Sequence, residues 1–136
     1  MPLIAWNDEM SVGVRILDED HKCLVELINE LHDGIMNGCS QEVLGPILNR
    51  LVGYTEVHFD REEKYFGHTG YPDEASHKLE HHNLTARVRV LRDQHRQVDP
   101  VALSLETIAF LKSWLITHIE GCDKKYGPYL NSKGIS

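Results

Sequence analysis

Residues 51–65 read LVGYTEVHFDREEKY. Within them Leu51, Tyr54, His58, Glu62 and Tyr65 recur at intervals of three and four. That spacing places all five on one face of a helix. Ile47 extends the same stripe one turn earlier. The face is apolar apart from an imidazole and a carboxylate, which are costly in a core unless something satisfies them. The stretch therefore predicts a helix whose inner face carries chemistry.

Three further segments of this kind lie on either side, separated by Pro and Gly clusters. A first helix starts after Asp18, a good N-cap, and runs to about Asn37–Gly38. Its stripe is Leu24, Val25, Ile28, Leu31 and Ile35, with His21 on the same face. The second follows Ser40 and ends near Phe66–Gly67, with Pro46 kinking its first turn or marking its regular start. The third begins near Pro72–Asp73 and ends near His95, with His77, His81, Leu84, Val88 and Leu91 in line. The fourth opens at Asp99–Pro100 and runs to about Gly121 through Leu105, Ile108, Leu111, Leu115 and His118. Residues 1–17 alternate at Val12, Val14 and Ile16 and read as an extended arm, while residues 122–136 read as a short helical tail. The expectation is an all-α, up-down-up-down four-helix bundle (18–121) in a single domain spanning 1–136.

The net charge of −7, from 14 basic and 21 acidic residues, argues against nucleic acid or an anionic membrane as partner. No signal peptide or transmembrane run is evident. Cys23, Cys39 and Cys122 are odd in number and far apart, which fits a reducing cytoplasm better than a disulfide framework.

Histidine is the unusual residue, with nine copies. His58…Glu62 and His77…His81 are both i, i+4 pairs, and a helix brings such pairs to one site. Chance alone supplies about 0.6 His–His pairs and about 1.4 His–acid pairs at that spacing, so neither pair is informative singly. Four helices that each turn an imidazole inward are informative, because a metal pair would compensate them together. Asp123 follows His118 by five residues, about 140° round a regular helix. Gly121 lies between them, and a break there would let Asp123 swing back.

Taken in order, Asp18-Glu19-Asp20-His21, His58-Phe59-Asp60-Arg61-Glu62-Glu63, His77-x3-His81 and Trp114-Leu115-x2-His118-Ile119-x3-Asp123-Lys124-Lys125-Tyr126 resemble the hemerythrins, especially the single-domain bacterial ones. Trp6-x5-Val12-Gly13-Val14 fits the same group. The resemblance covers almost the whole chain. It implies two iron ions, one held by His77, His81 and His118 and the other by His21 and His58. Glu62, Asp123 and an oxo or hydroxo group would bridge them. It also implies dioxygen as partner at an open position on the second iron, walled by Leu24, Phe59, Trp114, Leu115 and Ile119. Imidazole and carboxylate donors suit iron, and an apolar wall hinders water and protons. Plain core packing explains the same five residues.

Other readings compete. His77-Lys78-Leu79-Glu80-His81 matches H-x-x-E-H of inverted zinc peptidases, and Glu74-x-x-His77 matches half of a ferritin-like carboxylate site. A His-phosphotransfer bundle needs only one exposed His. Within the resemblance itself, a di-iron sensor or a peroxide- or nitric oxide-reactive enzyme is the alternative to a dioxygen carrier or store. The expectation here is a non-enzymatic, cytoplasmic, monomeric dioxygen binder, with any delivery partner unspecified.

Overall fold

In the computed structural model, residues 3–38, 41–97 and 105–136 are described. Helices α1 (Arg15–Met36), α2 (Gln41–Thr69), α3 (Glu74–Gln97) and α4 (Leu105–His118) form the expected up-down-up-down bundle. A π-helical turn, Ile119–Asp123, joins α4 to α5 (Lys124–Ser132). Among the described residues, α2 packs on both α1 and α3, and α1 also packs on α4. Leu24, Ile28, Leu31, Leu48, Leu51, Ile108, Leu111 and Leu115 are buried in one continuous core. The expected start of the fourth helix at Asp99–Pro100 lies outside the described residues.

Two local expectations are corrected. Helix α1 begins at Arg15, a turn before Asp18, with Val14 at the N-cap position and no side-chain cap. Asp18 faces back along the chain instead. Its Oδ1 accepts from the Val12 amide at 2.8 Å and its Oδ2 from the Ser11 hydroxyl at 2.6 Å. An acid in the first turn thus pins the arm and also suits the positive end of the helix dipole. Because Arg15 and Ile16 are already helical, the strand-like alternation stops at Val14, and Ile16 is exposed. Helix α2 starts at Gln41, directly after Ser40 as expected, and includes Pro46 within its first two turns.

The arm is not uniformly extended, since Asp8–Met10 forms a 3-10 turn capped by Asn7. The Asn29 side-chain amide clamps the Ile4 backbone, its Oδ1 accepting from the Ile4 N–H at 2.8 Å and its Nδ2 donating to the Ile4 carbonyl at 2.9 Å. Farther on, the arm crosses α5. A Cβ on Gly127 would lie 2.0 Å from the Val12 carbonyl oxygen, so only glycine permits that approach. The arm and α5 together close the end of the bundle where the polar residues are collected.

The short helical tail is α5, which runs nine residues and follows α4 through the π turn. Gly121 does not break the chain. The backbone stays helical, widening by one residue so that the Lys124 amide reaches the Ile119 carbonyl, an i to i−5 bond. In such a turn a residue lies nearly above the one five positions earlier, which brings Asp123 onto the face of His118. The sequence expectation of convergence holds, but by added winding room rather than by a break. A side chain at Gly121 would meet nothing within 4 Å, so glycine is not sterically required there.

Candidate metal centre

Seven side chains named from the sequence meet in the core. His21, His58, Glu62, His77, His81, His118 and Asp123 are each at most 5% exposed. Helix α1 contributes the first, α2 the next two, α3 the pair at His77 and His81, and α4 with its π turn the last two. The i, i+4 spacing in α2 and α3 does what periodicity predicts.

Asp123 sits between two sets of rings. Its Oδ2 lies 2.9 Å from His21 Nε2, while its Oδ1 lies 3.0 Å from both His77 Nε2 and His118 Nε2. Glu62 Oε1 lies 3.0 Å from His58 Nε2 and 3.3 Å from His81 Nε2. The donor atoms fall into two overlapping groups, Glu62–His77–His81–His118–Asp123 and His21–His58–Glu62–Asp123, each within 4.8 Å. Both carboxylates belong to both groups.

These short distances are not aligned hydrogen bonds. The Nε2 atoms of His21, His58, His77, His81 and His118 and all four carboxylate oxygens of Glu62 and Asp123 lack a hydrogen-bond partner. They aim at common points rather than at one another. A buried polar group left unpaired costs roughly 1–3 kcal/mol. Seven such residues would consume much of a domain's total stability of about 5–15 kcal/mol. Protonation cannot repair this fully, since five imidazoles face two carboxylates and the His21–His58 and His77–His81 rings are centred 4.6 and 4.5 Å apart. Cations at the two foci would satisfy every donor, and the nitrogen–oxygen set fits iron.

The electrostatics agree. Burial pulls the His58 imidazolium down, but the Glu62 charge and contacts to Asp20 and Glu62 outweigh it, lifting the pKa to about 10. His118 behaves alike. Burial opposes its charge, and the Asp123 carboxylate lifts it to about 11. Burial works to raise Glu62 and Asp123, yet the facing imidazoles hold both below the usual carboxylate range. His81 is lowered, chiefly by burial. Protons occupy the place of metal charge, so metal uptake must displace them.

Asp20 was not singled out from the sequence. It is 1% exposed, and its Oδ2 accepts from His58 Nδ1 at 2.9 Å. Tyr54 Oη and Arg61 Nη1 donate to its Oδ1 at 2.9 and 2.7 Å. Burial favours its neutral form, but the hydrogen bonds from His58 and Tyr54 and the charges of His58 and Arg61 outweigh that and lower its pKa. The carboxylate fixes the His58 proton on Nδ1 and leaves the Nε2 lone pair facing the cluster. In the sequence Asp20 stands inside the motif Asp18-Glu19-Asp20-His21 with no role of its own. The one available signal was Tyr54 and Arg61 flanking His58 by a helical turn on either side. Asp20→Ala is expected to weaken metal binding by about 10–100-fold while the helical far-UV spectrum is kept. Competition with a chelator measures this, and unchanged affinity would remove the role.

All five expected wall residues are buried. Phe59 stacks on His81 with centroids 3.8 Å apart and meets His118 edge-on at 5.8 Å. Trp114 packs beside both Phe59 and His118, at 6.5 Å from each. Leu24, Leu115 and Ile119 belong to the same core. The Trp114 indole N–H is buried without a partner, so the wall is not wholly apolar. On the opposite flank Phe66 and Tyr126 pack on His77, with centroids at 4.9 and 5.7 Å. The other histidines stay apart. His68 and His82 are exposed, His32 is half-buried beside Asp33, and the His95 side chain lies outside the described residues.

Fold and site together define a helical-bundle protein with a buried imidazole–carboxylate centre able to hold cations. Residues 12–130 match the family described as the hemerythrin HHE cation binding domain. The chain belongs to the hemerythrin family, and its donor set marks it as a non-haem iron protein. It is 33% identical to a bacteriohemerythrin of Methylococcus capsulatus, covering 97% of this chain and 100% of that protein. It is 31% identical to a bacteriohemerythrin of Stenotrophomonas maltophilia, covering 93% of this chain and 80% of that one. The crystal structure of wild-type hemerythrin superposes with a TM-score of 0.86 at 32% identity, covering 94% of this chain and 98% of that one. No helix among the described residues is long and apolar enough to cross a membrane.

Proposed function

We propose that this single-domain protein, spanning residues 1–136, holds two iron ions and binds dioxygen reversibly without turning over a substrate. One observation carries the proposal: two overlapping donor groups share Glu62 and Asp123, and both are buried beside the Phe59–Trp114 wall. His77, His81 and His118 would hold one iron, and His21 and His58 the other. Glu62, Asp123 and an oxo or hydroxo group would bridge them. The iron pair would supply two electrons to bound dioxygen and recover them on release.

The chain's own residues do the rest. Asp20 holds the His58 ring in its working tautomer. Glu62 and Asp123 supply the negative charge that the cations require. Leu24, Phe59, Leu115 and Ile119 carry no proton-donating side chain, so the wall on that side slows the arrival of water and protons. That favours release of dioxygen over irreversible oxidation. Free Cys23 and Cys122 fit a reducing cytoplasm, and a monomer is the expected form.

Iron analysis and anaerobic spectroscopy test this reading. About two irons per chain are expected, as two metal-binding groups imply. A visible charge-transfer band should appear with dioxygen and vanish on deoxygenation. Zinc as the only bound metal, or immediate bleaching to an oxidised form that never returns, would overturn it.

A further inference from the structure

The seven candidate ligands are buried, so a cation must reach them by some route. Among the cavities lined by described residues, one touches the cluster at His77. It has a volume of about 60 Å³, and its walls include Asp73, Ser76, His77, Glu80, Cys122 and Lys125. That is room for a few water molecules, or for a cation that has shed part of its hydration shell.

We propose that Glu80, Cys122 and the Nδ1 edge of His118 form a loading port that captures a divalent cation from solvent and passes it inward. The port rests on the reading of the buried cluster as a metal centre. Glu80 Oε2 lies 3.0 Å from Cys122 Sγ, and Glu80 Oε1 lies 3.7 Å from His118 Nδ1. The three donor atoms lie within 4.8 Å of one another. Their exposure is graded along the route. The Glu80 side chain is 46% exposed, Cys122 is half-buried and the His118 side chain is 3% exposed. His118 Nδ1 is buried and lacks a hydrogen-bond partner, while Nε2 of the same ring faces Asp123 at 3.0 Å. One imidazole therefore borders both the port and the cluster.

The chain geometry supports transfer. Cys122 and Asp123 are successive residues of the π turn, so a cation held at the sulfur is one residue from a carboxylate of the cluster. A widened turn is more loosely wound than regular α-helix and is often found at functional sites. The wall of Leu24, Phe59, Trp114, Leu115 and Ile119 offers a hydrated cation no charge or carboxylate. Asp73 and Glu80 give the mouth a negative field, and Lys125 limits it on one side. A carboxylate-lined cleft of this sort raises cation capture rates about 10–1000-fold.

Stopped-flow uptake of Co2+ by the metal-free protein tests the port. In the Glu80→Gln/Cys122→Ser double variant, uptake should slow at least about ten-fold, with the final cobalt content unchanged. Wild-type protein should pass through a transient thiolate-to-cobalt absorption that Cys122→Ser abolishes. A control pair in the outer groove of α1, Glu26→Gln/Glu30→Gln, should leave the rate unaltered. Wild-type uptake rates in the port variant would overturn the proposal, as would equal slowing in the control pair or a reduced final cobalt content. If the wild-type protein takes up no cobalt, the metal-centre reading fails and the port with it. Normal wild-type uptake with an unaffected port variant removes the port alone.

Discussion

Glu62→Ala is expected to leave the protein almost without iron. Glu62 is fully buried, and its carboxylate belongs to both donor groups. One substitution therefore removes an anionic ligand from both ions. It also removes charge compensation from His58 and His81, whose Nε2 atoms lie 3.0 and 3.3 Å from it. Loss of a partner outside the ligand set costs metal sites about 10–100-fold in affinity, so loss of a shared ligand should cost more. Iron per chain after gel filtration in the presence of a chelator should fall below about one-tenth of the wild-type value. Glu62→Gln separates charge from packing, since it keeps the volume and one oxygen but not the anion. It should lose most of the iron while keeping the fold. Glu63→Ala, which changes a neighbour outside both donor groups, should retain it. Two irons per chain in Glu62→Ala would remove Glu62 from the centre.

Removing the metal should destabilise the protein and make its stability strongly dependent on pH. A metal present at about a thousand times its dissociation constant contributes roughly 4 kcal/mol. In a chain of this size that is about 10–15 °C in Tm. In the metal-free protein His58 and His118 titrate near 10 and 11, above their ordinary value of 6.5. A raised pKa means that the folded state holds its proton more tightly. Their contribution is therefore complete below about pH 6.5 and is lost as the pH rises through 10 to 11. Glu62 and Asp123 are depressed, so theirs is present above the ordinary carboxylate values and is lost as the pH falls below about 4. His81, lowered by burial, adds to the acid-side loss. The metal-free protein should be most stable at roughly pH 5–6.5. The Tm gap between loaded and metal-free protein should widen from pH 6.5 to 9, because metal uptake releases the protons that alkali removes. A metal-free Tm that rises over that interval would contradict the assignment of charge within the cluster.

Much of the molecule can be read from local pattern. Leu51, His58 and Glu62 share a face because a helix repeats every 3.6 residues, and the same rule aligns His77 with His81. His21 and His118 stand out because an imidazole on an apolar stripe needs a reason. Other features depend on groups distant in the chain. Asp18 reads as an N-cap, yet its oxygens bind Ser11 and Val12, because the arm folds back across the first turn of α1. Asp20 stands in the sequence beside His21 with no role of its own, but three donors from α2 enclose it, and their approach depends on how α1 and α2 pack. Asp123 reads as a tail residue unless the helix breaks. It comes inward because the helix gains a π turn, and α5 is held by the close approach of Gly127 to Val12.

The sequence by itself determined the four bundle helices, the face that each turns inward and the residue types gathered there. Periodicity is a property of the chain's own winding, and burial of an apolar stripe is favourable for any partner. Only the tertiary structure decided where those faces meet. It brought Nε2 of five rings and both carboxylates to shared points, set Asp20 behind His58, and placed a small cavity beside His77, lined by Glu80 and Cys122. Those outcomes depend on ångström-scale distances between separate helices, and spacing along a single helix does not contain them.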